Sequence, residues 1–484
     1  MKIILMLRKH LPFIVYILFY FSIIAFRLIT KPMPFFDWDE SIYAQVGIEM
    51  WNRMSLIPSW QYEIWLDKTP LVPLFYGLVI KLFPFIQPEI SVRISTLILA
   101  VGVFILIYML YYKVVKDSLL PTLVVAITSI TPIFLQRSQL GNIDVFLLLG
   151  WLGYIFFYRK FWLSLLFLAI AVMSKSLVGF YPVAIMGAYF LFLFFTKQIK
   201  LKELQKEIIK LATHTGILLL WYIVMFVMFG RDFWIEHIIE SHTKRVTASI
   251  ESHFGKRTFY IDLLFEQYGT YIWFSILGIG ALCWNWNKKY IKNEQLLYAT
   301  FLIPWFLFLN VTKTKIFWYG YPYIPQFAFL MVYPITLLQK RFPNIIYYGA
   351  LILVLVSVLN YGFVQQKIQA KEFASYEDHH RVAQLAKEQC DSLYVLNDPA
   401  AREAIHTLES MNLTITTTRW WGSHPSMVYY YGKPLENIYD EERVDTLLQT
   451  RPKNGCIVVT PQDISKVKDL ELIKSFENMA LYKL

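Results

Sequence analysis

Apolar residues run through this chain in blocks too long for a water-soluble core. A membrane-crossing helix needs about 20 mostly apolar residues. The pattern predicts eleven such helices, at residues 11–30, 92–112, 118–136, 143–158, 161–174, 177–196, 209–230, 271–286, 295–312, 317–338 and 344–364. The stretch 71–86, LVPLFYGLVIKLFPFI, is apolar but short and carries Lys81, so it is read as a helix lying in the membrane interface. Past residue 365 the long apolar runs stop and charge rises. Short runs of β character (SLYVLN, LTITTT, CIVVTP) there alternate with helical ones around 399–410 and 441–450. The expected architecture is a polytopic α-helical membrane domain over residues 1–364 and a small α/β domain over 365–484.

Composition agrees with this pattern. Charged residues make up only 17% of the 484 and hydrophobic ones 56%, against about 25% charged in an ordinary soluble chain. Aromatics reach 18%, as many membrane–water crossings require. The net charge of +11 does not point to nucleic acid, because the basic residues sit in short loops between apolar runs. With the N-terminus inside, the inside loops hold Lys113 and Lys116, Arg159 and Lys160, Lys197 to Lys206, Lys288 to Lys292, and Lys340 and Arg341. That arrangement puts the C-terminal domain outside the cytoplasm. It also leaves two large external loops, 31–91 and 231–270. The N-terminal apolar run has no small-residue cleavage site after it and is read as an uncleaved span. The three cysteines lack metal-ligand spacing; Cys283 lies in an apolar run, and Cys390 and Cys456 leave a disulfide open without requiring one.

Candidate chemistry clusters at the outer ends of the spans. Asp37, Asp39 and Glu40 in FFDWDESIYAQVGIEMW follow the first span. Carboxylates there are placed to take a proton from a hydroxyl, or simply to cap the helix that follows. Asp144 in LQRSQLGNIDVFLLLGW borders a long apolar run, where an ionisable group normally has a partner or a task. Lys68, Lys175, Lys313 and Lys315 sit on the outer side, against the charge rule. Each alone could snorkel to the headgroups; four together suit a phosphate leaving group that needs fixed positive charge. The loop 231–270 adds Arg245, His242 and His253, with no regular metal spacing.

These pieces, in this order, resemble the GT-C glycosyltransferases of the protein O-mannosyltransferase and aminoarabinose (lipid A) transferase group. The resemblance covers about residues 10–340 and rests on order and spacing. That family has an Asp-Glu pair after the first helix and then Tyr-Ala, matched by Asp39, Glu40, Tyr43 and Ala44. Its Lys-Pro-Pro-Leu is Lys68-Thr69-Pro70-Leu71 here, and an Arg opens the second span at Arg93. Ile143-Asp144-Val145 matches its Leu-Asp-aliphatic element, while its Lys-Gly element is Lys175-Ser176, keeping the Lys and losing the Gly. Its Ser-Lys tract before Tyr and Pro residues is matched by Thr314-Lys315, Tyr319, Tyr321, Pro322 and Pro325, and MVYYYGKPL (427–435) is similar to a Tyr-rich element of its outer domain.

The resemblance implies inverting transfer of a sugar from a polyprenyl-phosphate donor to an envelope acceptor: lipid A, a protein hydroxyl or another glycan. Asp39 would be the base, with Glu40 and Asp144 shaping the site. Lys68, Lys175, Arg245, Lys313 and Lys315 would meet the donor phosphate. Tyr43, His242, His253, Tyr319 and Tyr321 would line the substrate site. It implies a plasma (bacterial inner) membrane setting, no metal and no cofactor. An O-antigen ligase or polymerase would share this chemistry in kind. A transporter or flippase would instead place ionisable groups at mid-membrane within repeats, and no repeat is visible.

Overall fold

Where each apolar run ends decides how the chain turns back, and a computed structural model shows those ends. It describes residues 2–248, 253, 255–339, 343–372, 376–410 and 421–484; the predicted run LTITTT (413–418) lies outside them. The chain divides into two units. The first is Met1–Lys31, Leu66–Val72 and Arg93–Phe373; the second is Pro32–Trp65, Pro73–Val92 and Ala374–Leu484.

In the first unit the described helices are mostly apolar, and the protein is a multi-pass membrane protein. Five described helical stretches are long and apolar enough to cross a membrane: Arg8–Thr30, Pro88–Val115, Phe161–Phe195, Leu201–Thr247 and Asn344–Gln365. A sixth is built from Asn293–Thr300 and Ile303–Val311, bent by 42°. Two of these stretches reverse direction within themselves. At Ser176 the backbone takes φ +52° and ψ −134°. A Cβ added to Gly179 would then lie 2.4 Å from the Cα of Val172, two residues a straight helix keeps about 10 Å apart. At Gly230, φ is +54° and ψ −124°, a conformation glycine tolerates. Beyond it the rings of Tyr222 and His237 meet at 5.7 Å, where straight helix would separate them by about 22 Å. The breaks fall between the apolar runs 161–174 and 177–196 and at the end of 209–230.

The run 118–136 is interrupted as well. Pro132 starts a new short helix, Pro132–Arg137, and Thr131 before it is extended at ψ 144°, as a residue preceding proline must be. The helices pack through aromatic stacks, Tyr111 on Phe329 at 4.2 Å and Phe134 on Tyr321 at 4.0 Å. They also pack through close backbone contact. A Cβ on Gly278 would stand 1.8 Å from the carbonyl oxygen of Leu330, so the helix Phe274–Asn287 approaches Ile324–Val332 as only a small residue allows.

The second unit joins the first long loop to the C-terminal residues. Helix Asp39–Asn52 is followed by a two-residue hairpin, β1 (Ser59–Trp60) and β2 (Glu63–Ile64). Buried Glu49 organises that turn, accepting hydrogen bonds from Gln45, Ser59 and the backbone N–H groups of Gln61 and Tyr62 at 2.8–2.9 Å. The helix of the apolar run 71–86 is Leu71–Leu82, twelve residues and shorter than a span.

The C-terminal residues form a mixed five-stranded sheet ordered β4-β3-β5-β7-β6, where β3 is Ser392–Leu396, β4 Leu435–Ile438, β5 Gly455–Val459, β6 Glu471–Ser475 and β7 Ala480–Lys483. β3 pairs in parallel with β4 and β5, and β7 runs antiparallel to β5 and β6. SLYVLN and CIVVTP supply β3 and β5, and the helical runs are Pro399–Ser410 and Glu441–Thr450. Cys390 and Cys456 form a disulfide at the start of β3 and β5. Cross-linking residues 66 apart in sequence stabilises a domain of this kind by about 4 kcal/mol.

Candidate functional site

The first unit builds a cationic cluster on Asp144. That residue opens the helix Asp144–Phe156 and is 1% exposed. The side chain of Asn142 fixes the helix start, accepting hydrogen bonds from the N–H groups of Asp144 and Val145 at 3.0 and 3.1 Å. Lys175 Nζ donates to Asp144 Oδ1 at 2.6 Å, and Arg137 Nε lies 3.8 Å from Oδ2. A buried carboxylate survives because these two cations share it. Lys175 also sits over the ring of Tyr319 at 4.5 Å, and Arg245 Nη1 donates to the Tyr319 hydroxyl at 3.4 Å. Arg137, Asp144, Lys175, Tyr319 and Arg245 thus form one connected string.

Lys68 enters this unit on the segment Leu66–Val72 and pairs with its neighbour Asp67. Burial pushes the Asp67 carboxyl up, but the charges of Lys68 and Arg245 outweigh it and hold it below the ordinary carboxylate range. Histidines anchor the segment. His237 Nδ1 donates to the carbonyl of Leu66 at 2.8 Å, and Ser241 donates to that of Asp67 at 3.2 Å. A neutral imidazole has one N–H, so His237 Nε2 is an acceptor and takes the Ser176 hydroxyl hydrogen at 2.6 Å. Tyr222 then completes Ser176 at 2.9 Å. Ser176 follows Lys175 directly, so this bonding holds the turn that presents the lysine. His242 donates from Nδ1 to the carbonyl of His237 at 2.7 Å.

The other expected residues have different surroundings. Lys315 is buried and donates to the carbonyls of Leu309 and Asn310 at 2.8 and 3.2 Å, closing the C-terminus of Ile303–Val311. Burial pushes its ammonium down. Lys313 is exposed. Backbone bonds from Lys313, Thr314 and Lys315 to the carbonyls of Val246, Arg245 and His253 tie this strip to the Arg245 segment. The His253 ring meets Trp318 edge-on at 6.4 Å. Tyr321 is fully buried on Phe134 in the helix core.

The second unit holds the acidic turn. Asp39 is the first residue of its helix and half-buried, while Glu40 and Tyr43 are buried. Trp38 before them takes φ +79° and ψ −125°, a strained conformation for a bulky residue. Its neighbours hold it there. Glu40 Oε2 accepts from the N–H of Phe36 at 2.8 Å. Asp37 accepts from His424 Nδ1 at 2.8 Å and from the N–H of Ser426 at 2.9 Å. Burial pushes the Asp37 carboxyl up, but these hydrogen bonds and the adjacent His379 bring it below its usual range. The Tyr-rich element becomes the helix Ser426–Tyr431. There the Tyr430 hydroxyl donates to Glu89 at 2.7 Å and accepts from the N–H of Phe35 at 2.7 Å.

The sequence reading passed over Arg137, Asp67, His237, Glu89 and the histidines facing Asp37. Arg137 carried a signal, a lone cation in QRSQLGN between two apolar runs; the others carried none separable from loop composition.

No family model matches the chain. A protein of Aquifex aeolicus (strain VF5), itself described only as uncharacterized, is 26% identical over 345 residues, 67% of this chain and 63% of its own length. The chain therefore spans less than two thirds of that relative. The solved ArnT of Cupriavidus metallidurans, bound to undecaprenyl phosphate, superposes with a TM-score of 0.67 over 97% of both chains at 13% identity. This chain has the GT-C fold. The GT-C resemblance extends to the oligosaccharyltransferase of Archaeoglobus fulgidus, solved with Zn and sulfate, at a TM-score of 0.58 and 10% identity over 96% of this chain and 73% of that one. The structure adds the Arg137–Asp144–Lys175 contact, which joins two of the expected motifs.

Proposed function

We propose that the protein is a glycosyltransferase that moves a sugar from a polyprenyl-phosphate donor to an envelope acceptor on the outer face of the membrane, with inversion at the anomeric carbon. The observation that carries this reading is the likeness of the whole chain, membrane helices and C-terminal sheet together, to an ArnT bound to undecaprenyl phosphate. The cationic string supports it: Lys175, Arg245 and Lys68 supply charge where a lipid phosphate would leave. Asp39 takes the proton of the acceptor hydroxyl. The acceptor oxygen bonds to the anomeric carbon, the carbon–oxygen bond to phosphate breaks, and polyprenyl phosphate departs with the electron pair. Tyr319 and His242 border the donor and Tyr43 supports the acidic turn. Lys315 serves a phosphate only by giving up two carbonyls, so Lys68 and Lys175 come first. The disulfide Cys390–Cys456 supports a C-terminal region outside the cytoplasm, since such bonds persist in oxidising compartments.

The test is sugar transfer by purified protein from undecaprenyl-phosphate-linked donors, with lipid A, envelope glycan and peptide acceptors offered separately. Release of undecaprenyl phosphate coupled to a glycosylated acceptor is the expected result. Movement of donor across a vesicle without transfer would replace this reading with a flippase.

A further inference from the structure

The turn ahead of Asp39 carries a second constellation with no part in the transfer step. Asp37, His379 and His424 offer one donor atom each, all within 4.8 Å of one another. His424 Nδ1 is 2.8 Å and His379 Nε2 3.8 Å from the same atom, Asp37 Oδ2. The two imidazole rings lie nearly parallel, 4.2 Å apart at 10°. A zinc ion with bonds of about 2.0–2.2 Å sets its donors roughly 3.4 Å apart in a tetrahedron, within the spread seen here.

His379 is the decisive residue. It is 4% exposed, and its Nε2 is buried without a hydrogen-bond partner among the described residues. Its other nitrogen, Nδ1, stands 3.5 Å from a carboxylate oxygen of Glu377. That arrangement favours the proton on Nδ1 and leaves a lone pair on Nε2 aimed at Asp37. A lone pair and a carboxylate facing each other across a buried gap call for a cation between them. Metal-bound histidines commonly point their second nitrogen at a carboxylate in this way. His380 is not part of the set: its Nδ1 accepts from the N–H of Glu377 at 3.2 Å and its Nε2 faces the Phe35 carbonyl at 3.3 Å. Asp37 and His424 are partly exposed, giving an ion a way in.

We propose that Asp37, His379 and His424 bind a divalent transition-metal ion of the zinc class, which fastens the strained turn at Trp38 to the C-terminal sheet domain and so positions Asp39. Two imidazoles and one carboxylate suit such an ion better than magnesium or calcium, which prefer oxygen alone. Three protein ligands leave a fourth position for water. On binding, the Nδ1 proton that His424 now donates to Asp37 moves to Nε2 or, from the imidazolium, to solvent, which frees the Nδ1 lone pair for the ion. The ion's role is positioning. The metal site stands apart from the transferase reading, because it is scored by metal content and not by turnover.

The experiment loads the full-length, detergent-purified protein with zinc, removes free metal by gel filtration and measures bound metal. Wild type, His379→Gln, His424→Gln and the control His406→Gln, an exposed histidine 51% accessible at its side chain, are compared. Wild type and control are expected to retain about one equivalent that a chelator removes. The two ligand variants should lose more affinity than the 10–100-fold that outer-shell changes cost. Should either ligand variant be misfolded, X-ray absorption on the zinc-loaded wild type decides, with two imidazole nitrogens expected in the first shell. No retained metal in wild type, retention unchanged in folded variants, or a shell without two imidazoles would overturn the proposal.

Discussion

Two turns in this molecule hold non-glycine residues at positive φ beside residues that carry the proposed chemistry, and they are held in different ways. Ser176, at φ +52°, follows Lys175 in the first unit. Trp38, at φ +79°, precedes Asp39 in the second. Strain of this kind costs on the order of 1–3 kcal/mol and persists only where the surroundings over-determine it. Ser176 secures itself: its own hydroxyl is fixed by His237 and Tyr222. Trp38, 43% exposed, is secured through its backbone and its neighbours: its carbonyl accepts from Ser41 and Ile42, and Asp37 and Glu40 make the bonds on either side. A self-secured turn is sensitive at one residue. A neighbour-secured turn spreads its sensitivity over the first loop and residues nearly 390 positions later, such as His424 and Ser426.

The largest effect should separate chemistry from support within the second turn. Asp39→Asn keeps the shape and removes the proposed base, so turnover should fall by about 10²–10⁴ at unchanged thermal stability. Asp37→Asn should do the reverse, lowering stability more than the rate constant of the folded fraction. Equal loss of turnover in both, at equal stability, would mean that the base is not confined to Asp39.

In the first unit, support and chemistry meet in one residue. Lys175→Gln removes the nearest partner of a buried carboxylate, and breaking such a pair from one side costs about 3–5 kcal/mol. Lost activity in this variant alone therefore proves little. The informative comparison adds Asp144→Asn. If Lys175 only neutralises Asp144, the double variant should recover transfer, and stability less what Arg137 loses with the carboxylate. If Lys175 also meets the donor phosphate, stability should return and turnover should stay low.

These contrasts mark what could be read from the chain. Apolar run lengths exposed the multi-pass helical class, because burial in lipid leaves a long one-dimensional signature; against eleven expected helices, five described stretches, or six with the bent pair, are long and apolar enough to cross. Asp39, Lys68, Asp144 and Lys175 stood out as ionisable groups at the ends of such runs. Their partners did not. Lys175 reaches Asp144 across 31 residues, and His424 reaches Asp37 across 387; contacts of that range leave no periodic trace. The disulfide was likewise open in sequence and closed only by the pairing of β3 with β5. Strands β4 and β7 escaped because they are short, and β6 because it is largely exposed and polar.

The departure of Ser176 from the Lys-Gly element gives a smaller test. Ser176→Ala keeps the strained φ and strands the buried His237 Nε2 without its donor, which should cost about 1–3 kcal/mol. Ser176→Gly loses the same bonds but relieves the backbone, so it should lie closer to wild type. Thermal unfolding of the two variants checks the order. A glycine variant less stable than the alanine one would show that the turn is not strained.

The smallest effect concerns acid. Asp67 has a folded pKa below its unfolded value of about 3.9, because Lys68 and Arg245 favour its charged form over the opposing cost of burial. A depressed carboxylate adds stability that is fully present above the unfolded pKa and is lost as pH falls through the folded one. The Asp67–Lys68 pair should therefore contribute unchanged from neutrality down to about pH 4 and fade only below it. Asp67→Asn removes the paired charge beside Lys68. Stability curves of wild type and Asp67→Asn, run between pH 7 and 3, should stay parallel above about pH 4 and converge beneath it. Convergence already near pH 6 would assign the acid sensitivity to a histidine and remove Asp67 as the group that holds Lys68 in place.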